Sequence, residues 1–246
     1  MKIIEHVETL TREGELLADV AERAGTDAPV PTCPQWRVAD LLRHTGAVHR
    51  WAAGFVRDAA VEPAPFPDAP ELAGAELLAW FREGHRALVR TLTDAPADVQ
   101  CWTFLPTAAP SPLAFWARRQ AHETTVHRMD AEAALGTGYG PVTAEFAEDG
   151  VDELLVGFHA RPRSRVRTEQ PRVLRIRAAD TGAVWTVHLS QEPPRTVLGD
   201  AGPADCEVTG EASWLYAALW NRLPLAGPKV TGDETLARLW TETAGI

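Results

Sequence analysis

The chain has 246 residues, 45% of them apolar, enough to bury one large core or two modest ones. Its formal charge of -10 disfavours nucleic acid as a partner, because phosphate binding needs a basic face, and neither end carries a long run of one sign. No apolar run approaches the roughly 20 residues of a bilayer span, and the opening MKIIEHVETLTREGE has charges where a signal peptide needs apolar residues, so a cytoplasmic protein that handles small molecules and no membrane is expected.

In chain order, four segments carry apolar residues at spacings of three and four, the helical period. They run from about Ile3 to Ala24, from Val38 after the breaker CPQW, through ELAGAELLAWFREGHRALVRTL, and through PLAFWARRQAHETTVHRMDAEAALG. The last opens with Pro112 and stops at Gly136, a start and a stop signal. Polar, Pro-rich connections such as VEPAPFPDAP and LPTAAPSP separate them, as in a bundle, and TAEFAEDGVDELLVGFHA adds a possible fifth helix. ARPRSRVRTEQPR lacks any apolar period and reads as a linker over 161–172. Beyond it the period becomes two: RVLRIRAA places Leu174, Ile176 and Ala178 on one face, and AVWTVHLS places Trp185, Val187 and Leu189 likewise. With the ADTGA turn between them a hairpin is expected, followed by short strands at RTVLG and CEVTG and two helices, EASWLYAALWNR and ETLARLWTETA. The expected organisation is α+β: a helical domain over 1–160, a linker, and a small α+β domain over 173–246.

Cys33, Cys101 and Cys206 are odd in number and far apart, which argues against a disulfide framework and against a cysteine metal site. There is no GxSxG elbow, and GTGYG follows a helix, so it reads as a cap and turn rather than a phosphate loop. Lys2 and Lys229 are the only lysines among 24 basic residues, a bias that suggests a GC-rich genome.

Metal chemistry is the remaining possibility. HETTVH, residues 122–127, looks like the zinc-protease pattern HExxH with one residue too many. Residues five apart on a helix lie about 140° apart and residues four apart about 40°. His122 and His127 therefore cannot share an ion, whereas Glu123 and His127 can, if another helix supplies a third ligand. The plain alternative is an exposed helix with a charged Glu123 to His127 pair. On the second helix His44 lies within the stripe of Leu41, Val48, Trp51 and Phe55 and should point inward, with His49 outward. His6 and His85 also lie on apolar stripes, so periodicity leaves three inward histidines as candidates. His159 and His188 acquire no role.

CPQWRVADLLRHTGAVHRW and ARRQAHETTVHRMDAEAALG together resemble the mycothiol-dependent maleylpyruvate isomerase family, within the DinB-like superfamily of thiol-dependent metalloproteins; KVTGDETLARLW resembles the family's closing segment. The resemblance implies an N-terminal DinB-like four-helix bundle and a C-terminal sterol-carrier-like α+β domain. It also implies a metal triad, with VADLLRH supplying His44 and ETTVH supplying Glu123 and His127. His6 and His85 then become packing residues, and His122 packs or bonds behind the site.

What the family implies for chemistry is a divalent ion, zinc by preference for two imidazoles and a carboxylate, with mycothiol as thiol cosubstrate. The cosubstrate would bring the nucleophile, and its thiolate would attack a small electrophile, giving a conjugate (S-transferase) or a cis-trans isomer. Arg222, after ASWLYAALWNR, is the candidate for binding an anionic group; a helix-end arginine meeting the dipole is its alternative reading. Asp130 either orients His127 or solvates its helix. A noncatalytic metal-containing binder is the competing function, and no feature of the sequence sets an oligomeric state or names the electrophile.

Overall fold

The computed structural model describes residues 1–105, 109–225 and 230–245; part of the LPTAAPSP connection and Lys229 of the closing motif lie outside them. The chain divides into two compact units, one of residues 1–104 and 109–140, the other of 105–108 and 141–246.

The first unit is a four-helix bundle of α1 (Ile3–Ala24), α2 (Val38–Arg57), α3 (Gly74–Asp94) and α4 (Pro112–Leu135). Helix α1 lies along α4 and α2 along α3, with α1 also against α3 and α2 against α4. Leu17, Leu41, Leu42, Leu77 and Phe81 fill the space between them and are fully buried. Local chemistry sets the helix ends. The backbone amide of Arg37 donates to Asp40 at 2.9 Å at the start of α2. At the start of α4, Ser111 Oγ accepts from Ala114 N at 3.1 Å beside Pro112, and Gly136 closes that helix in the left-handed region at φ 76°. Unlike its neighbours, α4 is buried on nearly every side, including Arg119, Gln120, Arg128 and Asp130.

In the second unit, α5 (Ala144–Asp152) runs into a π-helical turn (Glu153–Phe158). The five strands are β1 (Arg172–Ala178), β2 (Val184–Leu189), β3 (Arg195–Leu198), β4 (Cys206–Gly210) and β5 (Val230–Gly232), and two helices, α6 (Ala212–Leu219) and α7 (Thr235–Thr243), complete the unit. The sheet order is β3-β2-β1-β4-β5. The expected hairpin forms with Ile176 opposite Trp185 in antiparallel register, while β4 runs parallel to β1 with Val208 opposite Ile176. Leu174, Ile176 and Ala178 are fully buried on one face. On the other, Arg175 and Arg177 meet Asp200 and Glu207.

The division falls at Gly140, whereas the sequence had put 1–160 in the bundle and a linker over 161–172. Periodicity identifies α5 as a helix but not its partner. Its Phe146 ring lies 6.1 Å from Tyr216, and Asp152 accepts from the Trp185 indole at 3.3 Å. The Arg- and Pro-rich stretch is likewise built into the second unit. Arg167 donates to the carbonyls of Pro162, Ser164 and Gln191, Thr168 N donates to Ser190 O, and Val166 is fully buried. No disulfide forms among the described cysteines, and no described helix is long and apolar enough to cross a membrane.

Candidate metal centre

Glu123 and His127 share one face of α4, and His44 of α2 meets them from the neighbouring helix. One carboxylate oxygen, Glu123 Oε1, lies 3.3 Å from His44 Nε2 and 3.2 Å from His127 Nε2. One potential ligand atom from each residue lies within 4.8 Å of the other two. The opening is on the α2 side: the His44 side chain is 34% exposed, against 10% for His127.

Surrounding groups fix each member. Asp130 Oδ2 accepts from His127 Nδ1 at 2.8 Å, which turns Nε2 toward Glu123, and Asp130 is itself held by the Thr32 hydroxyl at 2.5 Å. Arg119 approaches the other oxygen of Glu123 at 3.5 Å. The Trp36 ring lies 5.0 Å from His44 and 6.0 Å from His127. Burial pushes the His127 pKa down, but its bonds to Asp130 and Glu123 win and raise it to about 9. Burial pushes Glu123 up, and the hydrogen bonds from His127 and His44 hold it well below the usual carboxylate range.

The donor set fits a divalent ion. Two imidazole nitrogens and a carboxylate oxygen are a zinc-type set, and atoms bound to one ion at about 2.1 Å in a tetrahedron sit roughly 3.4 Å apart, close to the two separations seen here. A carboxylate behind the far nitrogen of a ligating histidine is the usual support. His44, Glu123 and His127 would hold such an ion.

The remaining candidates separate cleanly. His122 is fully buried, its ring 6.1 Å from His6. His85 bonds the Leu10 carbonyl at 2.9 Å, and burial lowers its pKa. His49, expected to face outward, is fully buried: its Nε2 lies 2.9 Å from Thr124 Oγ1 and its ring packs on Phe81 and His85. The expectation weighted Trp51 and Phe55, which belong to an aromatic cluster with Trp102 and Trp116. The buried surface of α2 extends past that stripe to Leu42, Thr45, Ala52 and Val56, and His49 lies among them. Arg222 lies in the second unit just past α6, where its Nη1 donates to the Trp220 carbonyl at 2.7 Å. Sequence reasoning did not find Thr32, Trp36 or Arg119. Trp36 stood in CPQW, read as a helix breaker, and Thr32 had no spacing relation to the triad, whereas Arg119 stands four residues before Glu123 on α4, a spacing that could have found it.

Residues 7–132 match the model of the mycothiol maleylpyruvate isomerase N-terminal domain, and residues 145–239 match that of the MDMPI C-terminal domain. The chain belongs to the mycothiol-dependent maleylpyruvate isomerase family. Among solved structures, the crystal structure of the mycothiol-dependent maleylpyruvate isomerase aligns with TM-score 0.64 at 13% identity, over 94% of this chain and 92% of that one. A histidine-to-alanine mutant of that enzyme aligns over the same shares with TM-score 0.63 at 12% identity. At such identity these likenesses bear on the fold, which is α+β with a helical bundle first. No curated protein matches the sequence.

Proposed function

We propose that this protein is a mycothiol-dependent enzyme that uses a divalent ion, zinc as the first choice, at His44, Glu123 and His127, and that it acts as a maleylpyruvate-type isomerase or an S-transferase. The observation that carries the reading is the convergence of these three side chains, from two helices, within 4.8 Å of one another.

A bound divalent ion would supply Lewis acidity that drops the pKa of an incoming thiol. The chain's own groups do the rest. Asp130 and Thr32 hold the His127 ring, Arg119 holds Glu123, and the partly open His44 edge gives the thiol its approach. The thiolate then forms a C–S bond to an electrophilic carbon. With a leaving group the conjugate is the product. With a cis double bond conjugated to a carbonyl, the adduct is an enolate. Rotation about its former double bond and departure of the same thiolate give the trans isomer, with no net change in atoms. Arg222 is retained as the candidate for binding an anionic group of substrate or thiol.

The test is metal content of purified protein, then thiol consumption with mycothiol, glutathione and bacillithiol across a panel of electrophiles. His44→Ala, Glu123→Gln and His127→Ala should each lose stoichiometric metal; a full complement in His44→Ala would sink the assignment. Metal without turnover on any electrophile would favour a binding protein. Arg222→Leu should raise KM for anionic electrophiles, with Arg222→Lys restoring part of the loss.

A further inference from the structure

The open edge of the triad is bordered by an aromatic residue that the metal chemistry does not use. Phe66 is 49% exposed, yet it stacks on the ligand candidate His44, with centroids 6.0 Å apart and planes 25° apart. It sits in the α2–α3 connection between Pro65 and Pro67, whose rings fix two backbone φ angles. The Trp51 indole donates to the Ala64 carbonyl at 3.1 Å, and its ring lies 5.9 Å from Phe66. A loop tied to the bundle two residues before Phe66 holds that ring at the rim. A half-exposed phenyl ring held beside a ligand candidate offers an apolar face on which a flat group can be buried.

The connection that carries this ring holds no cation. From residue 59 to residue 73 there is no Lys or Arg, while Glu62, Asp68 and Glu71 fall in this stretch; Asp58, just before it, is paired with Arg57. The arginines flanking the site residues in sequence are engaged: Arg37 with the Asp27 carbonyl, and Arg43 with Asp40 and the Leu72 carbonyl. Arg119 faces Glu123. This connection therefore offers an arriving molecule an apolar ring rather than a cation.

We infer that the electrophile carries an aromatic or similarly flat apolar group next to its reactive carbon, and that Phe66, backed by Trp51, is the residue that selects it. The inference rests on the reading of the site as a thiol-using centre. It places the specificity of this chain in its α2–α3 connection, outside the metal ligands.

The experiment compares benzyl bromide with iodoacetamide as electrophiles for metal-loaded protein and mycothiol, after subtraction of the uncatalysed rate. Phe66→Ala should lower kcat/KM for benzyl bromide about tenfold, the scale of one lost aromatic contact, and leave iodoacetamide unchanged within about twofold. Phe66→Tyr should restore the benzyl rate. Equal losses on both electrophiles, or none on either, would overturn the inference. Calorimetric binding of S-benzyl against S-methyl mycothiol supplies a readout without turnover. If wild-type protein consumes no thiol with any electrophile, the enzymatic reading falls. A Phe66-dependent preference for the benzyl thioether would then still support the aromatic rim, and no preference would overturn it.

Discussion

Asp130 decides how His127 presents itself. Its carboxylate accepts a hydrogen bond from Nδ1–H, so the nitrogen facing Glu123 is the one that can bind an ion. An asparagine there keeps the volume but removes the charge, and should weaken metal binding about 10- to 100-fold while Glu123 and His44 stay in place. Competition with a chromophoric chelator would read this, and an unchanged affinity would reduce Asp130 to a packing group. His49 gives the contrasting case. It is five residues from His44 on the same helix, but bonded to Thr124 inside the bundle. His49→Ala should cost roughly 2 kcal/mol in urea unfolding, through the lost bond and buried ring, with metal per folded molecule unaltered.

At the level of elements, the bundle depends on a charged contact between its first and last helices. Arg128 of α4, 1% exposed, meets Glu13 of α1 at 2.8 Å and Glu132 at 2.6 Å, and Glu132 also accepts from Gly140 N. Removing one partner leaves charge stranded in low dielectric, so Glu13→Ala should destabilise the first unit by about 3 kcal/mol in denaturant titration; a loss typical of surface pairs would show that water reaches Arg128. This arrangement also explains what the sequence disclosed. Helices with one dry side, such as α1 and α3, were legible from spacing, as were the β1–β2 hairpin and the caps of α4. Helix α4 was not. When almost the whole circumference is buried, apolar spacing cannot say which polar residue faces which neighbour. Within HETTVH, helical geometry alone separated Glu123 and His127 from His122; the choice of His44 over His6 and His85 required the family resemblance. Thr32 depends on loop course, which no period encodes, while Arg119 sits one turn before Glu123, where the helical period could have shown it.

For the whole molecule, a divalent ion and acid bear on different groups. The candidate donor set lies in the first unit, so a bound ion would act on that unit's stability. Acid acts on the second through His159, which is buried against Trp240 with centroids 4.6 Å apart and has Nδ1 3.1 Å from Ser164 Oγ. Burial, then the nearby Arg161, lowers its pKa from 6.5 to about 4. Because the unfolded chain takes the proton first, stability is complete above the unfolded value and falls with pH through the window down to about 4. Between about pH 7 and pH 5 this one residue should remove about 2 kcal/mol. Denaturant titrations at both pH values would show it, and His159→Phe should remove that part of the slope.

The separation of His44 from Glu123 by 79 positions has a practical consequence. Helix α4 in isolation offers two donors, too few for a closed coordination shell. On the proposed assignment, only a chain in which α2 has docked on α4 would retain an ion at His44, Glu123 and His127 through desalting. The metal-to-protein ratio of a preparation then counts correctly assembled molecules, and it can grade expression batches and variants before any substrate is known.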